Sequence, residues 1–481
     1  MNSLNLNPLP SLARKGILTY LGISAVVYLL MMLAGLVMRL AQAGLVAVPP
    51  NFFYQLMTAH GAGMVGISAL AASAVLWYFL RRYVELNVGI LWANLVLFLV
   101  GVVCILGGVF VGGYAGAWTF LFPLPSTSMG AWGIWAAASF MVGLLIIGVG
   151  FLLFYLDVIR AILTKYRSIP RALGWPQLFA NSDAPMPPAT IVASTMVVIV
   201  NTMGIVAGAV VIVIMLINLF MPEFAVDALL TKNLIYFFGH VFINATIYQA
   251  VIAVYELLPE YTKRPWKVNK VFLAAWSASS LMVMAVYPHH LLMDFAMPVW
   301  AAVMGQILSY ANGIPLVVVT AYGALTIVHK SGIKWDPASG LLFLSMFGWT
   351  AGVIPAIIDA TITVNNVMHN TMWVPGHFHF YLLLGLVAML FGFMYYLVHK
   401  EGQRTSLVDR AAFLLYMTGS AGFAGMFLVS GMNSVPRRWA AHLPEWVSYS
   451  ETASAFAFLI VVGAAIFAFR FITRLPQART V

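Results

Sequence analysis

Residues 372–399 read MWVPGHFHFYLLLGLVAMLFGFMYYLVH, a stretch without a single Lys, Arg, Asp or Glu. An α-helix needs roughly 20 apolar residues to cross about 30 Å of hydrocarbon, and this run is longer than that. It shows no two-residue alternation, and backbone groups in lipid must be satisfied within helices or closed barrels, so it reads as a membrane-spanning helix. Eleven further stretches of the same character flank it, near 16–40, 52–80, 88–113, 132–157, 190–220, 233–258, 270–292, 298–328, 338–365, 408–432 and 449–473. The expected fold is therefore all-α, an integral membrane bundle of 12 transmembrane helices. It forms a single domain over 1–481, with the bundle at 16–473 between tails at 1–15 and 474–481.

Composition agrees. With 62% hydrophobic and 8% charged residues over 481 positions, the chain lies outside the range of soluble domains. One cysteine, Cys104, excludes an internal disulfide, a cysteine-based zinc site and a C-x-x-C-H haem attachment, so any metal must be held by other ligands. A net charge of +10 raises the question of nucleic acid. The placement of the bases answers it: with a cytoplasmic N-terminus, all Lys and Arg except Arg39, Lys232, Arg437 and Arg438 fall on the inner side. Both termini should then face the cytoplasm, the charge orients helices, and no nucleic-acid partner is called for. The polar, proline-containing segment 166–189 reads as a surface excursion.

Of ten histidines, His60, His240, His289, His290, His377 and His379 lie within apolar spans. Ionisable groups there are costly and normally face a bundle interior with a partner. The alternation of the spans puts His60, His240, His377 and His379 one to two turns below the outer surface. His289 and His290 lie near the outer end of the seventh span. Six imidazoles at one level, without carboxylates, point to metal. His377 and His379 are about 200° apart round a helix, so they serve different centres. His289 and His290 follow Pro288, which frees the backbone to aim both inward. With His240 they can form a three-imidazole site suited to copper or iron that binds a small gas. His60 is left to pair with one of His377 and His379 across a six-coordinate haem, and the other would hold a five-coordinate haem. A rival class, a secondary transporter with a histidine proton relay, predicts scattered histidines and no haem.

The segments HGAGM (60–64), GHVF (239–242), YPHH (287–290), HNTMWVPGHFH (369–379) and GMNSVPRRW (431–439) resemble subunit I of the haem-copper oxidase superfamily. The helix-six sequence GHVFINATIYQAVIAVYELLP is most similar to the ba3-like branch. The resemblance implies a low-spin haem on His60 and His379 and a high-spin haem on His377. It places a CuB-type metal, copper or non-haem iron, on His240, His289 and His290. Arg437 and Arg438 would hold haem propionates, with His369 nearby. It further implies a bacterial or archaeal plasma membrane setting, a subunit II partner carrying CuA or haem c, cytochrome c as electron donor, and O2 as substrate.

Two departures qualify it. Oxygen-reducing relatives of the ba3-like and mitochondrial-like branches carry a tyrosine four residues after the first metal-ligating histidine, where this chain has Asn244. The cbb3 branch supplies its tyrosine from helix seven, at the position of Val283 here, while Tyr248 and Tyr287 lie nearby. Splitting O2 needs four electrons promptly, whereas reducing two NO to N2O needs two, so Asn244 favours nitric oxide reduction as the alternative activity. No glutamate follows His240 in the pattern GHPE, so that proton route is missing. Ser309, Tyr310 and Thr320 are candidates for another, although such hydroxyls equally bond to their own helix.

Overall fold

The structure, a computed structural model, describes residues 9–399 and 403–479. Twelve helices in it are long and apolar enough to cross a membrane. In chain order they are α1 (Ser11–Gln42), α2 (Pro50–Leu80), α3 (Val88–Val111), α4 (Ile134–Tyr166), α5 (Ala189–Phe220) and α6 (Ala228–Thr262), followed by α7 (Lys270–Leu291), α8 (Val299–Val328), α9 (Pro337–Asp359), α10 (Trp373–Val398), α11 (Leu407–Met432) and α12 (Pro444–Gln477). Several begin on a side-chain cap. Asp227 accepts from the amides of Leu229 and Leu230 at the start of α6, and Asp336 forms a capping box with Ser339 at the start of α9. Arg14 donates to the Ala478 carbonyl at 2.8 Å, so both ends of the chain meet at one end of the bundle.

Burial ranks the helices. Along their most apolar stretches α2, α6 and α10 are 89%, 83% and 94% buried, against 33–50% for the others, so these three form the centre and the rest a shell. The central three carry His60, His240, His377 and His379. Close backbone approach fixes α10 against α11: a Cβ added at Gly431 would lie 2.2 Å from the Trp373 nitrogen, and one at Gly376 would lie 3.0 Å from that of Leu428.

The expected spans recur with shifted ends. The supposed tail 1–15 is partly helical, because α1 already starts at Ser11; residues 1–8 lie outside the described residues. At the other end α12 continues to Gln477, and Arg479 donates to the His399 carbonyl, so this tail is tied to the end of α10; residues 480–481 are outside the described set. α4 runs on to Tyr166, and α9 stops at Asp359, with Ile362–Met368 a separate short helix. The segment 166–189 folds into two short helices, Ile169–Ala172 and Trp175–Phe179, with Ala172 and Leu173 buried.

Candidate functional site

Three imidazoles converge where α6 meets the end of α7. Regular α-helix stops at Ala285, and a tight 3-10 turn over Tyr287–Leu291 follows, as Pro288 requires. That turn aims two adjacent side chains to one point. His289 Nε2 lies 3.1 Å from His290 Nε2, which lies 3.1 Å from His240 Nδ1. Ligand nitrogens of His240, His289 and His290 all fall within 4.8 Å of one another. α8 approaches this turn at Gly305, where a Cβ would come within 2.8 Å of the His289 nitrogen.

Hydrogen-bond partners fix the ring tautomers. Ser309 Oγ donates to the Gly305 carbonyl at 2.6 Å, so toward His289 Nδ1, at 2.7 Å, it can only accept. His289 therefore carries its proton on Nδ1 and turns a bare Nε2 lone pair to the cluster. His60 Nδ1 sits 2.7 Å from the Met31 carbonyl and His379 Nδ1 2.7 Å from that of Pro375, and a carbonyl only accepts. Both rings likewise keep Nε2 free. The Nε2 of His240 and the Nδ1 of His377 are buried without partners.

All six intramembrane histidines line one continuous cavity, together with Asn244, Val283, His369, Arg437 and Arg438. Apolar walls complete it. His379 packs edge-on against Phe423 and Phe427 at ring-centre distances of 5.4 and 5.0 Å, and His377 against Tyr381 at 5.8 Å. Neither Arg437 nor Arg438 forms an ion pair among the described residues. Burial, then Arg438, lowers the pKa of Arg437 to about 10. Burial, followed by Arg437 and Arg438, lowers His369 to about 4, so that ring is neutral at physiological pH. Asp359, which also lines the cavity, partly offsets the charge of Arg437, and two guanidiniums without an ion pair still leave a net positive corner that suits an anion such as a carboxylate.

The neighbouring expectations divide. Asn244 lines the cavity and donates its Nδ2 to the His240 carbonyl at 2.8 Å. Tyr287 turns away, its hydroxyl donating to Asn233 at 3.0 Å, whereas Tyr248 lines the cavity. Ser309, Tyr310 and Thr320 do not make one path. Tyr310 faces outward toward Thr361, and Thr320 bonds back to the Leu316 carbonyl at 2.7 Å.

Other features were not anticipated. Arg39, placed by its sequence position among the outer charges, is 8% exposed, lines the cavity and lies over the Phe427 ring at 4.8 Å. A charged residue within an apolar helix was the signal available for it. The loop between α3 and α4 folds inward and brings Trp118 and Thr119 to the cavity, with Thr119 near Arg438 at 3.4 Å. Gly61 makes room for that Trp118, whose ring would lie 2.5 Å from an added Cβ.

Comparison with known proteins places this arrangement. Residues 15–466 match the family described as Cytochrome C and Quinol oxidase polypeptide I. The chain belongs to this family. Among relatives of this oxidase family, the chain is 24% identical over 442 residues to cytochrome c oxidase subunit 1 of Thermus thermophilus, covering 85% of this chain and 73% of that one. It is 24% identical over 454 residues to cytochrome c oxidase polypeptide 1 of Halobacterium salinarum, covering 90% and 73%. A heme-copper terminal oxidase dimer solved by cryo-EM shares the fold, with TM-score 0.79 at 20% identity over 98% of this chain and 85% of that one. The chain is thus a multi-span membrane protein of the haem-copper oxidase subunit I family, an oxidoreductase family of respiratory electron transport whose members bind haems and copper.

Proposed function

We propose that this chain is the catalytic subunit of a respiratory terminal oxidase that takes electrons from a cytochrome c, by way of a partner subunit carrying CuA or haem c, and reduces O2 to water. The observation that carries this reading is the meeting of His240, His289 and His290 in the same cavity as His60, His377 and His379. Three imidazole nitrogens within 4.8 Å of one another, with no carboxylate in the cluster itself, are a donor set that copper or iron accepts.

When bound, two haems and the third metal supply electron transfer and activation of a small gas. The residues would do the following. His60 and His379, each with Nδ1–H held by a carbonyl, offer Nε2 to a low-spin haem. His377, with its Nδ1 unpartnered, would hold the high-spin haem, and His240, His289 and His290 would hold the third metal. Arg437 and Arg438 would take the propionates, with His369 neutral beside them. The apolar walls exclude bulk water from the reacting gas.

Asn244 supports a second reading, reduction of NO to N2O at the same centre. It sets an amide, which gives up neither electron nor proton readily, beside His240. Reduced-minus-oxidised visible spectra of the purified complex test the first step, and absence of haem bands would sink the reading. Turnover on each gas with one electron donor then decides between them. O2 consumption with NO untouched supports the oxidase, and the reverse supports the reductase.

A further inference from the structure

Positions 240, 244 and 248 share one face of α6, since residues four apart stack along a helix. Asn244 and Tyr248 both line the cavity, one and two turns beyond His240. Because Asn244 Nδ2 is engaged with the His240 carbonyl, its Oδ1 is left to the cavity. On α8, Asn312 stands one turn past Ser309, also lines the cavity, and has a buried Oδ1 with no partner. A buried carboxamide oxygen is destabilising unless something donates to it, and where several such groups border a cavity an ordered water can bridge them.

Three tyrosines line the cavity, Tyr236, Tyr248 and Tyr381. Among the described residues only Tyr248 is hydrogen-bonded through its hydroxyl to a neighbouring helix, meeting Ser279 Oγ of α7 at 3.3 Å. Its ring is wedged against Trp276 and Trp349, at 5.0 and 5.9 Å between centres. The adjacent Ser280 Oγ is buried and unpartnered. Tyr248 thus borders the cavity and reaches Ser279 of α7 through its hydroxyl.

We propose that Tyr248 delivers protons to the centre, passing them to a water held between Asn244 and Asn312. This rests on the oxidoreductase reading above, because reduction of either gas consumes protons. In each transfer the phenol O–H breaks and an O–H to the water forms. In the same step the water passes a proton on to the reacting gas and the Ser279 hydroxyl returns one to the phenol oxygen, Ser279 being recharged from solvent, so neither a phenolate nor a hydronium is left and no electron leaves the ring. The arrangement takes the place of the α8 series that the sequence suggested, of which Tyr310 faces outward and Thr320 bonds to its own helix.

The test uses the purified holo complex with Tyr248→Phe, which removes only the hydroxyl. Tyr255→Phe serves as control, since Tyr255 donates to the Val319 carbonyl at 2.9 Å and lies outside the cavity. Loss of a positioned proton donor should slow turnover about a hundredfold. Haem bands and anaerobic reduction by the donor should be unchanged, and a tyrosine band in the redox-difference infrared spectrum should vanish in Tyr248→Phe only. Asn312→Leu should slow turnover with that band retained. Full turnover in Tyr248→Phe would overturn the relay, as would a loss that comes with altered haem bands or slowed anaerobic reduction. Absence of haem from the unmodified protein would overturn the oxidoreductase reading and the relay together.

Discussion

Ser309→Ala should weaken the three-histidine centre without touching a ligand. The Ser309 hydroxyl is the acceptor for His289 Nδ1–H at 2.7 Å and is itself committed to the Gly305 carbonyl at 2.6 Å. Alanine leaves the imidazole N–H buried and unpaired, a change of about 1–3 kcal/mol. The ring is then free to swing off the point it shares with His290. At about 1.4 kcal/mol per tenfold, this corresponds to roughly 10–100-fold in metal affinity, the range seen when an outer hydrogen-bond partner of a ligating histidine is removed. The assay is metal content by mass spectrometry after equilibration against graded chelator, with haem absorbance recorded on the same samples. Ser309→Thr keeps the hydroxyl and should restore the retention. If Ser309→Ala held its metal as tightly as the parent, the hydroxyl would not orient His289 and the tautomer reasoning would fail. If haem bands were lost in parallel, the substitution would have disturbed the whole cavity rather than one ring.

Three further outcomes are expected. Gly431→Ala would press a methyl group to 2.2 Å from the Trp373 backbone, four residues before His377, and should destabilise the protein by about 1–3 kcal/mol with loss of haem, read by thermal unfolding and absorbance. An unshifted midpoint would refute the backbone contact. Glu256→Gln removes the carboxylate that Arg82 meets at 3.2 Å with both side chains nearly buried, 12% and 10% exposed, and should lower stability by about 3 kcal/mol, softened by Glu260 at 3.7 Å. Asp294 is raised by burial, but the Lys232 hydrogen bond and charge outweigh this and hold it below its ordinary value of 3.8. A carboxylate depressed in the folded state stabilises above its unfolded pKa and loses that contribution as pH falls through the folded one. Asp294→Asn should therefore melt lower than the parent at neutral pH and converge with it as the pH falls below 3.8. A difference that stayed constant through that fall would contradict the pairing with Lys232.

The bundle was legible because membrane solvent allows few alternatives. Each span declares itself by length and lack of charge. The ends were less so, since helices continue past the apolar run where charged side chains reach water. Asp157, Arg160 and Lys165 all lie on the last turns of α4, with Arg160 bonded to Asp157 at 2.6 Å. α9 ends early for the opposite reason: Asn365 Nδ2 caps the Asp359 carbonyl at 2.7 Å, a side chain substituting for a further helical turn. The convergence of His240, His289 and His290 could be anticipated from one proline, because Pro288 limits how the chain can leave α7. Counting charges by loop assigns Arg39 a side of the membrane but not a direction, because a guanidinium on a helix can turn inward to a cavity. The inward fold of the α3–α4 loop depends on Gly61 yielding to Trp118, a contact between distant segments that no local pattern encodes. Asn312 is one turn from a serine, and only the packing of α8 against α7 and α9 brings it to the cavity.

The three histidines whose Nδ1 protons are already committed, His60 to Met31, His379 to Pro375 and His289 to Ser309, bear on how the protein is assembled. A ring that has chosen its tautomer before its ligand arrives has no proton to shed when the ligand binds. Filling these positions then generates no acid inside a bundle that has nowhere to put it. Insertion of iron and metal at these rings becomes a question of access and shape, and its rate should follow the opening of the helices rather than the pH of the compartment.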